Sequence, residues 1–512
     1  MLTTFTAPAF AKTWYIEDGD ITISASETRG TNKVSQGAEP EVEDTGTIIT
    51  NREKDASSHT VTINAGNDKV EVTLDNVNIK ADSGSALISK GDVTLTLKGD
   101  NHLTGGNGGS SSYGGDGITS SGSLTISGGT VTANGGDSKD GDGGSGGYGI
   151  SSSGVAISGG TVTANGGDGG SGSGSHGGNG IYSSSGVAIS GGAVTANGGD
   201  SKDGSGGNGI YSSGGVTISS GSTVTANGGD GEDGSGGRGI TSNGGVTVSG
   251  GTVNAKGGSG KNGNGGDGIR SFNPVAISGG TVNANGGNSD YSNGGDGIRS
   301  LDHVAISGGT VKSNGGSGNL SGGNGIISYD IDLSGSLELT AKAGSPNGKA
   351  LSRVGSELDL NTIKDKLDPG AKVTATDADG KVIQQVSIPR PVEPEEPSSS
   401  SDSGSATPSA PASFLPGLTV TDKDGQRISY TSTQSGNTLT VCVGRFTASL
   451  RISLAALRQL RAEGIETITF QTILCSTTLS VDELLAMGGE DAEVVLTHHI
   501  RSSTLTVGGK AV

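Results

Sequence analysis

The sequence is poor in the residues that stabilise most compact proteins. Its 512 residues include 2 cysteines, 12 prolines, 1 tryptophan, 8 tyrosines and 6 phenylalanines. Two cysteines exclude a disulfide framework or a cysteine metal cage. The low proline content, without a Gly-X-Y period, excludes collagen, and no run approaches the roughly 18 apolar residues of a membrane-spanning helix. So few large apolar side chains also argue against a single compact core.

Basic residues are outnumbered, with 33 Lys and Arg against 52 Asp and Glu and a net charge of −19. Nucleic-acid binding depends on clustered basic charge and is therefore not expected. Glycine, by contrast, is abundant, with 99 residues. Glycine and net charge fit a disordered chain, but valine, isoleucine and threonine recur on a fixed schedule. This schedule predicts a repeat protein.

One unit recurs between about residues 105 and 328. Its most regular feature is an isoleucine that directly follows a glycine, which we call the marking isoleucine. Successive marking isoleucines lie 28 to 32 residues apart. Length varies only in a Gly/Ser/Asp-rich loop, so the rest of the unit keeps a constant register. The marking residues are Ile118, Ile150, Ile181, Ile210, Ile240, Ile269, Ile298 and Ile326.

Apolar and polar residues alternate inside each unit, as in VAIS at 155–158 and TVTAN at 161–165. A period of two is typical of short strands, and no helix-length amphipathic segment interrupts them. One unit cannot bury its own apolar side chains, whereas stacked copies can. The sequence therefore predicts an all-β fold, a right-handed parallel β-helix with coils of about 30 residues.

Two polar columns are interpreted as structural. Asparagine tolerates turn conformations and can bond its equivalent in the next coil, which predicts an amide ladder. It would comprise Asn134, Asn165, Asn197, Asn227, Asn285 and Asn314. By the same logic we expect an inward hydroxyl ladder of Ser120, Ser152, Ser183, Ser212, Ser242, Ser271, Ser300 and Ser328.

The first 388 residues are predicted to form the solenoid and its caps. Residues 1–11, ending in Ala-Phe-Ala, look like the remnant of a secretory signal peptide, which indicates an extracellular protein; a frayed apolar terminus is the alternative. Residues 12–104 are predicted as an N-terminal cap with the first coils, and 105–330 as the Gly-rich coils. Residues 331–388 are predicted as the last coils or a C-terminal cap.

The remaining chain changes character. Residues 389–413 are rich in proline, serine and acid and predict a linker. Residues 414–512 combine strand patterns with helical segments at 454–462 and 481–487, and predict a small α+β accessory domain. Its Cys442 and Cys475 are compatible with a disulfide or with two buried thiols.

The runs VEVTLDNVNIKA and ALISKGDVTLTLKGDNHLTGG, followed by GGDGI and GGTVTANGG units, support a family resemblance. Residues 12–388 resemble the carbohydrate-binding, pectate-lyase-like β-helix family of Gram-positive secreted and cell-surface proteins. The resemblance implies binding of acidic polysaccharide or cellulose, with calcium. The linker and the C-terminal segment lie outside it.

The position after each marking isoleucine forms an outward column. Two tyrosines, Tyr182 and Tyr211, and two arginines, Arg270 and Arg299, are each one coil apart in it. Sugar rings stack on aromatic faces, and guanidinium groups pair with carboxylates. These four residues are the candidate carbohydrate site, for a uronic-acid chain lying along the axis. The alternative is that exposed strands simply carry β-formers and occasional arginines.

Six aspartates are candidate Ca²⁺ ligands. Stacked carboxylates repel one another unless a cation neutralises them, and Ca²⁺ accepts oxygen ligands from flexible loops. The candidates are Asp137, Asp168, Asp200 and Asp230 after the Asn-Gly-Gly segments, and Asp267 and Asp296 before Gly-Ile. The alternative is that aspartate before glycine is an ordinary turn former.

No nucleophile elbow, phosphate-binding loop or metal-binding histidine spacing is present in the sequence. We therefore expect a non-catalytic, secreted or surface-displayed protein that binds acidic or plant-type polysaccharide, with calcium as a possible cofactor. A structural or adhesin-like stalk that contacts proteins, with cell-wall or surface-protein association, is one alternative. A polysaccharide lyase is the other, with Arg270, Arg299 or Lys256 as a base.

Overall fold

The computed structural model describes residues 11–389 and 418–511, except positions 29, 110–112, 139–142 and 173 in the first stretch. In the second stretch, positions 423–426, 429, 436, 444–446, 473–475, 488–491, 499–502 and 509 are not described. The predicted signal-peptide remnant apart from Ala11, the predicted linker apart from Pro389, and Cys475 therefore lie outside the described residues. The chain divides into two compact units, residues 1–393 and 394–512.

The first unit is a parallel β-solenoid of about 13 turns, and the described residues are 52% strand and 6% helix. The predicted all-β parallel β-helix is confirmed at this level. Equivalent residues pair from coil to coil, as Ile150 does with Ile181 and Ile181 with Ile210. Each regular coil has three faces: the first follows the marking isoleucine, the second has the VAIS pattern and the third the TVTAN pattern.

In the early coils one long strand often covers more than one face. The strands up to the repeat are Thr13–Tyr15, Ile21–Ala25, Asn32–Gln36, Val42–Asp44, Ile48–Thr50, Val61–Asp75, Asn78–Lys80 and Leu87–Thr104. The first repeat coils contain Ile118–Asn134, Ile150–Ile157, Thr161–Asn165, Ile181–Ile189 and Gly192–Asn197. A short 3₁₀ helix occupies Ile16–Asp18.

Later coils have one short strand on each face. They are Ile210–Ser212, Gly215–Ile218, Ser222–Asn227, Ile240–Ser242, Val246–Val248, Thr252–Lys256, Ile269–Ser271, Val275–Ile277, Thr281–Asn285, Ile298–Ser300, His303–Ile306, Thr310–Asn314, Ile326–Ser328, Asp330–Leu333 and Glu338–Lys342. The unit ends with strands Leu351–Arg353, Ser356–Glu357, Lys372–Thr376 and Val382–Ser387 and a 3₁₀ helix at Leu360–Lys366.

The core consists of small and medium apolar side chains because the short strands of each coil enclose a narrow space. In one coil, Ile150, Val155, Ile157, Val162 and Ala164 are each at most 3% exposed. Burying a side chain such as valine or isoleucine stabilises the fold by about 1.5–3 kcal/mol. Because each coil packs against its neighbours, the columns of buried apolar side chains stabilise the solenoid along its whole length.

The serine column points inward as predicted, with Ser183, Ser212 and Ser242 0% exposed. The predicted hydroxyl ladder is wrong in its bonding, however. The Ser183 hydroxyl lies 2.9 Å from the carbonyl oxygens of both Ser153 and Gly186. The inward serines thus donate to carbonyl oxygens of the turns and not to one another.

The predicted amide ladder is present on the third face. Asn165 Nδ2 donates to Asn134 Oδ1 at 2.8 Å, and Asn197 and Asn227 continue the series at 2.8 and 2.9 Å. Lys256 then replaces the asparagine, and its register places it beside Asn227. The column therefore has a structural role wherever two asparagines are adjacent.

The Gly-rich segments that return to the first face pack glycine against glycine, and we call this contact the glycine seam. The N–H of Gly147 donates to the carbonyl of Gly136, that of Gly167 to Gly147 and that of Gly178 to Gly167. A Cβ atom on Gly167 would lie 2.1 Å from the Gly136 oxygen. Only glycine allows this approach of two backbones, which explains much of the glycine content.

Antiparallel strands lie at both ends of the solenoid. Near the N-terminus, Ile21–Ala25 pairs with Asn32–Gln36, which pairs with Val42–Asp44. Near the C-terminus, Lys372–Thr376 pairs with Val382–Ser387. Such capping protects the open edges of a repeat fold from pairing with other strands.

The second unit has its own core, which includes Phe470 and Leu457. Its helices, Leu454–Ala462 and Val481–Ala486, agree with the predicted helical segments to within one residue. Its strands are Leu418–Thr421, Thr431–Ser435, Thr438–Cys442, Ala448–Ser453, Thr467–Gln471, Ser476–Ser480, Glu493–His498, Ser503–Val507 and Lys510–Ala511. No helix among the described residues is long and apolar enough to span a membrane.

Candidate functional site

Six consecutive coils each place one large side chain on or beside the first face of the solenoid. The column after the marking isoleucine pairs Tyr182 with Tyr211 and Arg270 with Arg299 in parallel register. The neighbouring column, just before Gly-Ile, adds a tyrosine and an arginine. We call Tyr148, Tyr182 and Tyr211 the tyrosine ladder, and Arg238, Arg270 and Arg299 the arginine cluster.

The tyrosine ladder is a continuous ring stack. The centroids of Tyr148 and Tyr182 are 5.1 Å apart with planes at 9°, and those of Tyr182 and Tyr211 are 5.5 Å apart with planes at 3°. Both faces of the Tyr182 ring are therefore covered, and a sugar cannot stack on it while the ladder is intact. The ladder offers ring edges and hydroxyl groups instead. Burial raises the pKa of Tyr148, so this hydroxyl remains a hydrogen-bond donor at neutral pH.

The arginine cluster contains two of the predicted metal ligands. Asp267 Oδ2 lies 3.5 Å from Arg238 Nε and 3.7 Å from Arg270 Nη1. Asp296 Oδ2 lies 3.3 Å from Arg299 Nη1. The Asp267 and Asp296 side chains are only 8% and 7% exposed. These carboxylates therefore act as internal counter-ions of the arginines.

The cluster has more guanidinium groups than carboxylates. Burial shifts the pKa values of one carboxylate and one guanidinium group in it. Burial first, and then the Asp267 charge, raise the pKa of Asp296 to about 6. Burial first, and then Arg238, lower the pKa of Arg270. Among the described residues, Nε of Arg238 and of Arg270 is buried without a hydrogen-bond acceptor. These Nε atoms are out of reach, but the Arg238, Arg270 and Arg299 side chains are 34%, 21% and 37% exposed. An anion on this face can therefore reach the exposed parts of their guanidinium groups.

The other four predicted Ca²⁺ ligands form a separate column. The N–H of Asp168 donates to Asp137 Oδ1 at 2.9 Å, that of Asp200 to Asp168 Oδ1 at 2.8 Å, and that of Asp230 to Asp200 Oδ1 at 2.7 Å. The N–H of Ser259 likewise donates to Asp230 Oδ1 at 2.6 Å, so one oxygen of each of the four carboxylates accepts a backbone N–H of the next coil. The six candidate ligands do not converge. The part of the chain that the structure describes has no group of three or more His, Cys, Asp or Glu suited to a metal ion.

A groove of about 530 Å³ lies beside the tyrosine ladder. Glycines of the seam, including Gly147, form part of it, and Tyr148, His176, Asn208 and Arg238 line it further. Sequence reasoning missed Tyr148 and Arg238. Their position in the sequence could have identified them. Both residues lie three positions before the outward column, and the tight Gly-Ile segment brings the two columns side by side.

Comparisons with models of protein families, with curated proteins and with solved structures found no match. The family resemblance drawn from the residues therefore remains an expectation.

Proposed function

We propose that the protein is a secreted or surface-displayed, non-catalytic binder of acidic polysaccharide, and that the first face of the solenoid is its binding face. One observation carries the proposal: three guanidinium groups share two buried carboxylates in a chain whose net charge is −19. Uncompensated positive charge in such a protein is best explained by an anionic ligand.

The two groups have different roles in this proposal. Carboxylates of the glycan pair with the arginine cluster, because guanidinium donors match carboxylate geometry. Hydroxyl groups of the glycan bond to the tyrosine hydroxyls and to polar groups of the groove. A linear polymer that lies along the axis meets both groups, because equivalent residues repeat at the strand spacing of about 4.8 Å.

Direct pairing with arginine is proposed here, and calcium bridging stays a separate prediction. The linker and the α+β accessory domain at 414–512 are further parts of the proposal, and so is the association of the protein with the cell wall or with surface proteins. A structural stalk is the second candidate function. It is supported by the length of about 13 turns and by the antiparallel strands at both ends.

The test replaces each arginine with a residue that other coils use at the same position. Arg270→Thr and Arg299→Thr introduce the residue that the same column has at Thr119 and Thr241. Arg238→Asn introduces the residue that its column has at Asn208. We expect the triple variant to bind polygalacturonate at least tenfold more weakly in calorimetry and to lose the salt dependence of binding. Neutral glycans should be affected far less.

The matched control is Lys256→Asn, which removes one positive charge from the third face and restores the asparagine of that column. It should bind like the wild type. Unchanged polygalacturonate binding by the triple variant, or no binding by the wild type with or without Ca²⁺, contradicts the proposal and favours the stalk.

A further inference from the structure

One corner of the solenoid changes chemistry in its last coils. The corner position follows the inward serine and is Ser121, Ser153, Ser184, Ser213 and Asn243 in successive earlier coils. In the next four coils it is Phe272, Leu301, Tyr329 and Val354. Phe272, Tyr329 and Val354 are 45%, 65% and 69% exposed. Exposed apolar residues grouped in this way indicate an interaction site, whereas isolated ones do not.

The apolar corner contains a small cavity of about 170 Å³. Leu301, Ile327, Tyr329 and Val354 line it, together with Arg299. Val354 has a φ of 48°, in the left-handed region that a β-branched residue rarely adopts. Conformations of this kind concentrate at functional sites, and here one holds an exposed valine beside the cavity.

The two serine hydroxyls that line the cavity are already hydrogen-bonded. Ser300 Oγ donates to the carbonyl of Asn273 at 3.0 Å and accepts from the N–H of Asp302 at 3.1 Å. Ser328 Oγ donates to the carbonyl of Asp302 at 3.0 Å. Apart from Arg299 and the Tyr329 hydroxyl, the side chains that line the cavity are apolar or already hydrogen-bonded. Most sugar hydroxyls placed here would lose water without gaining partners, which costs free energy, whereas burial of an apolar side chain carries no such cost.

We propose that this cavity binds one leucine- or phenylalanine-sized side chain of a protein partner, and that a neighbouring carboxylate of the partner pairs with Arg299. Pockets for whole small ligands measure about 300–1,000 Å³, so a cavity of about 170 Å³ suits a single anchoring side chain.

We infer the carboxylate of the partner from charge complementarity with the arginines beside the cavity. Arg270 and Arg299 lie on the coils that carry the apolar corner, and Arg270 packs its guanidinium 5.2 Å from the ring centroid of Phe272. Arg299 contacts Asp296 through Nη1, and a guanidinium carries five N–H donors. This inference goes beyond the proposed glycan binding and does not depend on it, so the test uses peptides.

The probe is the peptide acetyl-Glu-Leu-Glu-amide, added to the full chain with labelled leucine, isoleucine and valine methyl groups. We expect saturable NMR shifts at Leu301, Ile327 and Val354. Acetyl-Gln-Leu-Gln-amide, which lacks the charges, and acetyl-Glu-Ser-Glu-amide, which lacks the apolar side chain, should each bind at least tenfold more weakly.

The variants use residues that other coils carry at the same positions. Tyr329→Ser and Ile327→Thr should each weaken binding of the leucine peptide about tenfold. Leu320→Ser removes an exposed apolar side chain that belongs neither to the apolar corner nor to the cavity lining, and it should leave binding unchanged.

The proposal is overturned if the leucine peptide gives no saturable shift, or if all three peptides bind equally. It is also overturned if galacturonate oligomers shift these methyl signals and the peptide does not, because the cavity would then belong to a glycan site. Failure of polygalacturonate to bind the first face bears only on the proposed function.

Discussion

The Asp296 carboxylate contacts the Arg299 guanidinium through Oδ2 at 3.3 Å, while its Oδ1 accepts hydrogen bonds from the backbone and the side-chain amide of Asn324. This carboxylate is therefore both a counter-ion of the candidate binding face and a structural acceptor for the next coil. Its removal and its protonation should have different consequences for folding and binding.

Asp296→Asn should change how stability depends on pH. The raised pKa of about 6 means that the folded state holds the proton more tightly than the unfolded chain. The contribution of this group to the unfolding free energy is thus present below about pH 4 and is lost as pH rises through about 6. Between pH 4 and pH 7.5, the unfolding free energy of the variant should therefore rise relative to that of the wild type by on the order of 1–3 kcal/mol, as measured by urea unfolding.

Asp302→Asn removes the half-exposed carboxylate two residues after the inward Ser300 and serves as the control for the loss of one charge from this region. A constant difference between Asp296→Asn and the wild type at both pH values would mean that Asp296 does not titrate in this range.

Protonation of Asp296 should also affect binding. Neutral Asp296 no longer competes for Arg299, so a glycan that carries sulfate groups, which stay charged, should bind more tightly at pH 5 than at pH 7.5. Asp296→Asn should bind it tightly at both values. A sulfated galactan measured by calorimetry at matched ionic strength tests this, and identical pH profiles for the two proteins would contradict it.

Gly167→Ala should disrupt the glycine seam. The added Cβ would lie 2.1 Å from the Gly136 oxygen, so two backbones must separate. We expect a loss of roughly 3 kcal/mol or more. Gly159→Ala, where a Cβ meets nothing within 4 Å, is the matched control and should cost less than about 1 kcal/mol. Chemical denaturation followed by circular dichroism measures both, and equal midpoints would rule out the seam as a packing constraint.

Val162→Asp should unfold its coil and weaken the neighbouring coils. Val162 is 0% exposed in a core without a partner for a charge. Thr161→Asp places the same charge on the adjacent exposed position and should be tolerated. Hydrogen exchange along the solenoid locates the damage, and protection equal to that of the wild type would show that residue 162 faces outward.

Asp168→Asn separates the ladder role of the aspartate column from the calcium hypothesis. Asparagine keeps the oxygen that accepts the Asp200 N–H at 2.8 Å, so the melting temperature should hardly change. Asp168→Ala removes the acceptor and should cost about 1 kcal/mol. If the column binds Ca²⁺, calcium will raise the melting temperature of the wild type and chelator will lower it, and both effects will be smaller for Asp168→Asn, which has one carboxylate fewer in the column.

The repeat itself was readable from the sequence. The spacing of the isoleucines, the period of two and the asparagine column predicted a parallel β-solenoid with Val, Ile and Ala inside. They did so because each depends on local alternation and on stacking of identical units. Tyr182 with Tyr211, and Arg270 with Arg299, were correctly placed one coil apart for the same reason.

Only the tertiary structure decided what these columns do. The Tyr182 ring is covered on both faces, Asp267 and Asp296 pair with arginine, and the remaining aspartates cap backbone N–H groups of the next coil. The glycine seam and the adjacency of Tyr148 to Tyr182 depend on how closely two backbones approach. That distance is set by packing between coils, and a linear sequence records the order of residues along the chain but not the spacing between its turns.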